Sequence, residues 1–387
     1  MAATLPIELL MIIAKHASRS LLPCLSLVSR EIYSITMPLL YAAIPKLNLC
    51  MPRTIRCLLT LSTKPELARM VRSFHLILPF FHALRPFHFL ISRALSNMTG
   101  LDSLTIHSNV PICSVLSQLS CRLTELLYHS SSSDPYPISG FLSTQPTIEK
   151  LIIDCPADGL SNLASDALPA LRDLSAPVEL LWSPLSSHLS RLSRLFVLNT
   201  MTNLAQFIQL ARSLQTITAP RPLELIVGID TSENSGVIEI ASLGLACLGS
   251  AAPFITSLKL NIYKGYIQQD ELHDIFLFAL PRFPNLRKLT MVSPPPREIT
   301  YTRDFQMRKL SQTVSLLHNA LYSVLTTDIL LLLTLQPESP QDQPSSDALH
   351  DKSCHNKVLR AWGQIHPGLE CVVFPDAMYD LKAFRSA

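Results

Sequence analysis

Glycine and charged residues are scarce in this sequence. Glycine accounts for 10 of the 387 residues, and charged residues make up 16% of the chain. Glycine-rich loops that cradle phosphates are therefore not expected, because such loops need several glycines to bring backbone N–H groups to the ligand. Lysine and arginine exceed aspartate and glutamate by only 32 − 29 = 3. This balance predicts no nucleic-acid partner.

Paired cysteines and long apolar runs are also missing. The nine cysteines contain no Cys-x-x-Cys pair, which predicts reduced thiols in a cytoplasmic or nuclear compartment rather than a zinc site or disulfides. No apolar run approaches the ~20 residues that span a bilayer, so no membrane partner is expected. Pro6 and Glu8 interrupt the apolar start of the chain, which is therefore not expected to be a signal peptide.

Apolar residues and prolines are abundant. Hydrophobic residues make up 48% of the sequence and prolines number 29. This composition predicts a large core built from many short elements with sharp turns. The length favours two or three domains.

The first 45 residues predict three short helices. Residues 5–17 read LPIELLMIIAKHA, with Pro6 suited to a first helical position and Glu8 to the first turn. Apolar residues occupy much of this helix's circumference, which indicates a partner-facing surface. Two further apolar segments follow, at 18–30 and 30–44, and Pro38 is expected to break or kink the second.

The landmarks of these segments resemble an F-box of the fungal type. They are Leu-Pro-x-Glu-Leu at 5–9, LSLVSR at 25–30 and PLLY at 38–41, with Tyr33 near a position where the family often has tryptophan. The resemblance implies docking to the Skp-type adaptor of a Skp–cullin–F-box ubiquitin ligase. The adaptor contacts that it implies are Leu5, Pro6, Leu9, Ile12, Leu21, Leu22, Leu25, Val28 and Ile32. The alternative is that the three helices only cap the domain that follows.

A phrase of the form apolar-x-x-apolar-x-apolar recurs through the rest of the chain. Its two last apolar residues are two apart and share one face of a short strand. Between residues 104 and 217 the phrase repeats every 21–25 residues, which is typical of a solenoid of strand-plus-connection units. It starts at residues 71, 101, 123, 148, 171, 192, 214, 255, 286 and 369.

These units resemble leucine-rich repeats. The asparagine or cysteine of that consensus is matched only by Asn109, so we expect irregular repeats, with an additional strand at 223–229. The predicted fold is α/β: a small three-helix F-box followed by an irregular leucine-rich-repeat-like solenoid of short parallel strands and helices. The predicted divisions are an F-box-like module at 1–45, a linker helix region at 46–69, repeats at 70–335, a disordered insert at 336–356, and a closing repeat with a C-terminal tail at 357–387.

Two other residue groups resemble functional motifs, but neither predicts a ligand site. Gly244 and Gly249 have the spacing of a phosphate-binding loop, but Ser250 follows where that loop needs lysine, so a repeat helix is expected. Asp270, His273 and Asp274 share a helical face, and we interpret them as solvated side chains.

The sequence thus predicts a non-catalytic subunit of a ubiquitin ligase without cofactor or metal. Its F-box would dock the adaptor and cullin complex, and its repeat arc would bind a target protein. Two alternatives remain open: an interaction scaffold whose N-terminal helices only cap the array, and, third, a metal-dependent enzyme using Asp270, His273 and Asp274.

Overall fold

The strands form one sheet whose order follows the order of the chain. The computed structural model describes residues 6–47, 51–78, 85–108, 110–130, 136–182, 184–230, 237–263, 267–293 and 348–382. Within these ranges the sheet has twelve strands, from β1 at one edge to β12 at the other. Neighbouring strands pair in parallel except β11 and β12, which are antiparallel. The fold is mixed α/β with a mostly parallel open sheet, which confirms the predicted class at that level.

The strands have the following bounds. They are β1 (Ala43–Leu47), β2 (Ser73–Leu78), β3 (Ser103–Ser108), β4 (Glu125–Ser130), β5 (Lys150–Asp154), β6 (Asp173–Ala176), β7 (Arg194–Met201), β8 (Leu223–Ile229), β9 (Ile255–Ile262), β10 (Lys288–Val292), β11 (Cys371–Phe374) and β12 (Ala377–Asp380).

The helices lie between successive strands or before the first strand. They are α1 (Ile7–His16), α2 (Leu22–Ser26), α3 (Arg30–Ala42), α4 (Met51–Thr63), α5 (Pro65–Ala68), α6 (Arg85–Asn97), α7 (Cys113–Leu116), α8 (Ile138–Ser143), α9 (Val178–Trp182), α10 (Leu204–Gln215), α11 (Val237–Ala251), α12 (Gln269–Ala279) and α13 (Lys352–Ile365). Short 3₁₀ turns occur at Ala157–Leu160, Ser186–Arg191 and Leu280–Arg282.

One row of buried residues crosses the sheet from β2 to β11. Its members are paired in register from strand to strand, and each is at most 1% exposed. The core therefore lies between this face of the sheet and the helices that pack beside one another. The row consists of Phe74, Leu104, Leu126, Leu151, Leu174, Leu195, Leu225, Leu258, Leu289 and Val372.

Nine of the ten recurring phrases contain a strand. The strand predicted at 214–219 was wrong. Leu214 and Gln215 belong to the end of α10. Asn203 is the N-cap of this helix, and its side-chain oxygen accepts a hydrogen bond from the backbone N–H of Gln206. Phe207, Leu210 and Leu214 are buried at helical spacing, so Leu214 completes a helical stripe rather than starting a strand. The strand of this unit is β8, at the segment predicted to be additional.

Two boundaries differ from the sequence prediction. Residues 46 and 47 belong to β1 rather than to a linker helix region, and helices follow at 51–63 and 65–68. The predicted disordered insert lies outside the described residues up to 347. Its remainder is ordered, because Ala348 and Leu349 are buried and α13 begins at Lys352. Disorder was predicted from the polar composition of the whole segment. Ala348 and Leu349 are apolar, and their burial anchors the end of the segment to the core.

The helix α3 continues through Pro38 and does not break there. Proline removes one backbone hydrogen bond, but Thr36 and Met37 beside it are buried and hold this part of the helix in place. Among the helices of the described ranges, none combines the length and the apolar character that crossing a bilayer requires.

Candidate functional site

The first three helices carry an unusual amount of exposed apolar surface. Nine of the twenty large apolar side chains that are exposed in the described ranges lie between residues 7 and 33. Such clustering marks an interaction surface more often than scattered single residues do. We call these nine residues the N-terminal apolar patch: Ile7, Leu9, Met11, Ile12, Ile13, Leu21, Leu27, Val28 and Tyr33.

The helix α1 is exposed because only a narrow stripe of it is packed. Ala14 is 3% exposed, and Leu10 and Ala17 beside it are half-buried. These residues lie on one side of the helix, since they are three or four positions apart. The other large apolar side chains of α1, including Ile7 at its first turn, are exposed. Apolar side chains of α1 are thus exposed on several sides of the helix.

The corner between α2 and α3 is the most exposed part of the patch. Leu27 is 87% exposed and Val28 is 66% exposed. Ser29 follows as the N-cap of α3, and its hydroxyl oxygen accepts a hydrogen bond of 3.2 Å from the backbone N–H of Ile32. The cap fixes the start of α3, directly after the exposed pair Leu27 and Val28.

The predicted adaptor contacts divide into four groups. Five of them are exposed: Pro6, Leu9, Ile12, Leu21 and Val28. Leu25 and Ile32 are half-buried, and Leu5 lies outside the described residues. Leu22 is only 4% exposed, so it supports α2 from inside and offers no surface to a partner. The sequence showed that Leu22 is apolar but not which side of its short helix is packed.

The sequence reasoning missed part of the patch. Ile7, Met11, Ile13 and Leu27 were not among the predicted contacts, although each is at least 43% exposed. Their apolar character was visible in the sequence, but a helix that is apolar on several sides does not reveal which side will be covered.

The face of the sheet opposite the core forms a second candidate surface. Alternate strand residues on this face are only partly buried. Along its middle, Leu127, Ile152, Ser175, Phe196 and Ile226 pair in register from β4 to β8. We call the four apolar members of this row the open-face apolar row.

A row of alternating charges borders the open-face apolar row. Glu125, Lys150, Asp173, Arg194 and Glu224 occupy successive strands in register. Lys150 pairs with Glu125, and the Arg194 Nε donates to Glu224 Oε2 at 2.8 Å. The hydrogen bond to Glu224 raises the pKa of Arg194. With three carboxylates and two cations alternating, most of the charge is compensated within the row, so the row selects a partner only weakly by net charge.

Histidines of β2, β3 and β4 lie on the same open face, at the level of the open-face apolar row or just beyond it. His107 and His129 are paired in register, and the ring of His75 stacks on that of His107 at 5.5 Å between centroids. The Nδ1 of His129 lies 2.9 Å from Asp154 Oδ2. Across the described part of the chain, no three His, Cys, Asp or Glu side chains are arranged to hold a metal ion.

The remaining constellations are structural. Asp270, His273 and Asp274 lie in the described part of the chain and do not form a group that could hold a metal ion, so the geometry gives no support to a metal site there. The pair Gly244 and Gly249 lies inside α11, as expected for a repeat helix. Burial raises the pKa of the Cys121 thiol to about 11 and that of the Cys155 thiol to about 12. Such thiols stay protonated and unreactive.

Two segments, at 130–137 and 293–304, are predicted by their composition to be loops on one rim, and most of their residues lie outside the described part of the chain. No protein-family model and no curated protein matches this sequence.

Proposed function

We propose that this chain is the substrate-recognition subunit of a Skp–cullin–F-box ubiquitin ligase. In this proposal the N-terminal apolar patch docks the Skp-type adaptor, and the open face of the sheet binds a target protein. The chain performs no chemistry. It raises the effective concentration of the target near the enzyme that carries ubiquitin.

One observation carries the proposal. The three helices that contain the Leu-Pro-x-Glu, LSLVSR and PLLY landmarks leave nine large apolar side chains exposed. A capping segment needs only the face that contacts the domain, and a second apolar surface raises the risk of aggregation unless a partner covers it. The resemblance and the exposure thus support a docking function by independent routes.

The repeat part of the proposal is supported by topology. Strand order equals chain order, and successive helices pack on one another in the same sequence. This is the arrangement expected of stacked repeats that contact mainly their neighbours. We therefore propose an irregular leucine-rich-repeat-like solenoid, with the first three helices as the F-box.

The alternative is an interaction scaffold whose N-terminal helices only cap the array. The observation that favours it is the direct run of α3 into β1, which places β1 at the edge of the sheet. If the helices only cap the array, the chain should not bind the adaptor. If they form a docking surface, it should bind.

The decisive experiment compares two leucines of similar exposure. Leu9, in the patch, is 46% exposed, and Leu59, on α4, is 51% exposed. We expect Leu9→Ser to weaken binding of purified Skp-type adaptor by about 30-fold, equivalent to ~2 kcal/mol. Leu59→Ser should bind like the wild type. Affinity is measured by isothermal titration calorimetry on the full chain.

Two results would contradict the proposal. One is a wild-type chain that fails to bind the adaptor while another F-box protein binds it in the same assay. The other is an equal loss of affinity in both serine variants, which would indicate general destabilisation rather than a docking surface.

A further inference from the structure

The helix α3 and the strand β1 are joined without a linker. α3 ends at Ala42 and β1 begins at Ala43. The backbone N–H of Arg72, just before β2, donates a 2.8 Å hydrogen bond to the carbonyl of Ala42. Ala43 then pairs with Ser73, and Ile44 pairs with Phe74. The end of α3 is thus hydrogen-bonded into the sheet.

Side chains extend this connection into the core. Ile44 is 9% exposed and belongs to the main core, and Tyr41 packs against that core from the last turn of α3. Desolvation by burial raises the pKa of Tyr41, as expected for a phenol removed from water. The helix α3 also packs against α5. One end of α3 is therefore part of the array.

The rest of α3 holds the docking helices. Both α1 and α2 pack against α3. Thr36 and Met37 are buried in its middle, and the Thr36 hydroxyl donates to the carbonyl of Ile32 at 2.8 Å. α3 is consequently shared between the N-terminal apolar patch and the sheet.

The strand β1 also protects the sheet. It covers the edge of β2, whose Phe74 and Leu76 are fully buried. If β1 detached, the N–H and C=O groups on that side of β2 would lose their partners and form an exposed edge. Opening of this edge is a local unfolding reaction with its own free energy.

We infer that residues 30–47 are both the edge cap of the sheet and the rigid mount of the N-terminal apolar patch, so that binding at the patch suppresses opening of β1. The part of this inference that concerns a bound adaptor rests on the proposed function. The coupling between α3 and β1 rests on the junction alone. Capping and docking are then two properties of one segment rather than alternatives.

The first experiment tests the junction without any partner. Hydrogen exchange of the full chain, measured by mass spectrometry, is compared for Ile44→Val and Leu9→Ser. Ile44→Val removes one buried methyl group from β1 and should speed exchange in β1 and in α3 together. Leu9→Ser should leave exchange in β1 unchanged. If Ile44→Val speeds exchange in β1 and not in α3, the two do not open as a unit and the inference is overturned.

The second experiment adds the Skp-type adaptor at about 100 times its Kd. If β1 opens only when the adaptor has dissociated, exchange of the β1 amides slows by up to about 100-fold. Insertion of Gly-Ser-Gly-Ser between Ala42 and Ala43 should confine this slowing to α1–α3. Adaptor binding that leaves β1 exchange unchanged in the wild type would overturn the coupling. A chain that does not bind the adaptor contradicts the proposed function, while the first experiment still decides on the junction.

Discussion

At the scale of single residues, two of the scarce glycines permit close contact between helices. A Cβ atom on Gly244 of α11 would collide with the ring of Phe207 on α10, lying 2.7 Å from Cδ1. A Cβ atom on Gly249 would lie 2.7 Å from the carbonyl oxygen of Arg282. Separations below 3 Å require the neighbour to move. These contacts explain why an apolar helix contains two residues that lower helix propensity.

Gly244→Ala should therefore destabilise the protein by ~1–3 kcal/mol, because overpacking outweighs the gain in helix propensity. The matched control is Gly140→Ala in α8, where no atom lies within 4 Å of the added Cβ. That substitution should be neutral or stabilising by ~0.5–1 kcal/mol. Urea denaturation measures both. A stabilised Gly244→Ala variant would show that the α10–α11 contact is not tight.

At the scale of the structural element, polar side chains tie each unit to the one before it. The Gln145 side chain accepts from the Leu123 N–H at 3.0 Å and donates to the Cys121 carbonyl at 3.1 Å. Comparable donors before other strands are Asn97, Arg191, Asn285 and His366, each of which reaches a carbonyl of an earlier connection. Individual side chains of different types thus satisfy the buried backbone groups where a regular repeat would use one residue type.

Gln145→Leu should lower the free energy of unfolding by ~2–6 kcal/mol. Gln145 is 2% exposed, so leucine would leave a buried N–H and a buried carbonyl without partners, at ~1–3 kcal/mol each. Gln118 is exposed, and Gln118→Leu should change stability by at most ~0.5 kcal/mol. Chemical denaturation of both variants tests the assignment, and equal effects would contradict it.

The sequence predicted strands better than it predicted the connections between them. An apolar pair two residues apart identifies a strand face locally, and the in-register row confirms it from Phe74 to Val372. The failure at 214–219 arose because Leu214 and Ile217 fit the strand phrase, whereas Leu210 and Leu214 also fit a helix. Only the packing of α10 on its neighbours settles such a segment.

At the scale of the whole molecule, one continuous core extends from β1 to β12 and contains buried histidines. His188 and His355 are fully buried. His355 Nε2 lies 3.1 Å from the carbonyl oxygen of Ala348, and its ring stacks on Phe374 at 3.7 Å. Desolvation by burial lowers the pKa of both histidines. The folded chain therefore favours their neutral forms.

Acidification should accordingly destabilise the fold. The unfolded chain binds protons on these histidines near pH 6.5, whereas the folded chain resists protonation. Their contribution to stability is therefore complete above about pH 6.5 and is lost as the pH falls below that value. The free energy of unfolding, measured between pH 5 and 7.5, should depend less steeply on pH in His188→Gln than in the wild type. His16→Gln, at an exposed position, is the matched control. An unchanged slope in His188→Gln would contradict the assignment.

The sequence by itself determined the alternating strands, the N-terminal helices and the apolar excess of those helices, because each depends on residues close together in the chain. Only the tertiary structure decided that Leu22 is covered while Leu27 is exposed, that β8 and not residues 214–219 completes the sheet, and that α3 runs into its edge strand. Those outcomes depend on which surfaces distant segments cover. A local sequence pattern shows which face of a helix or strand is apolar. Whether that face is buried depends on which other segments of the chain pack against it.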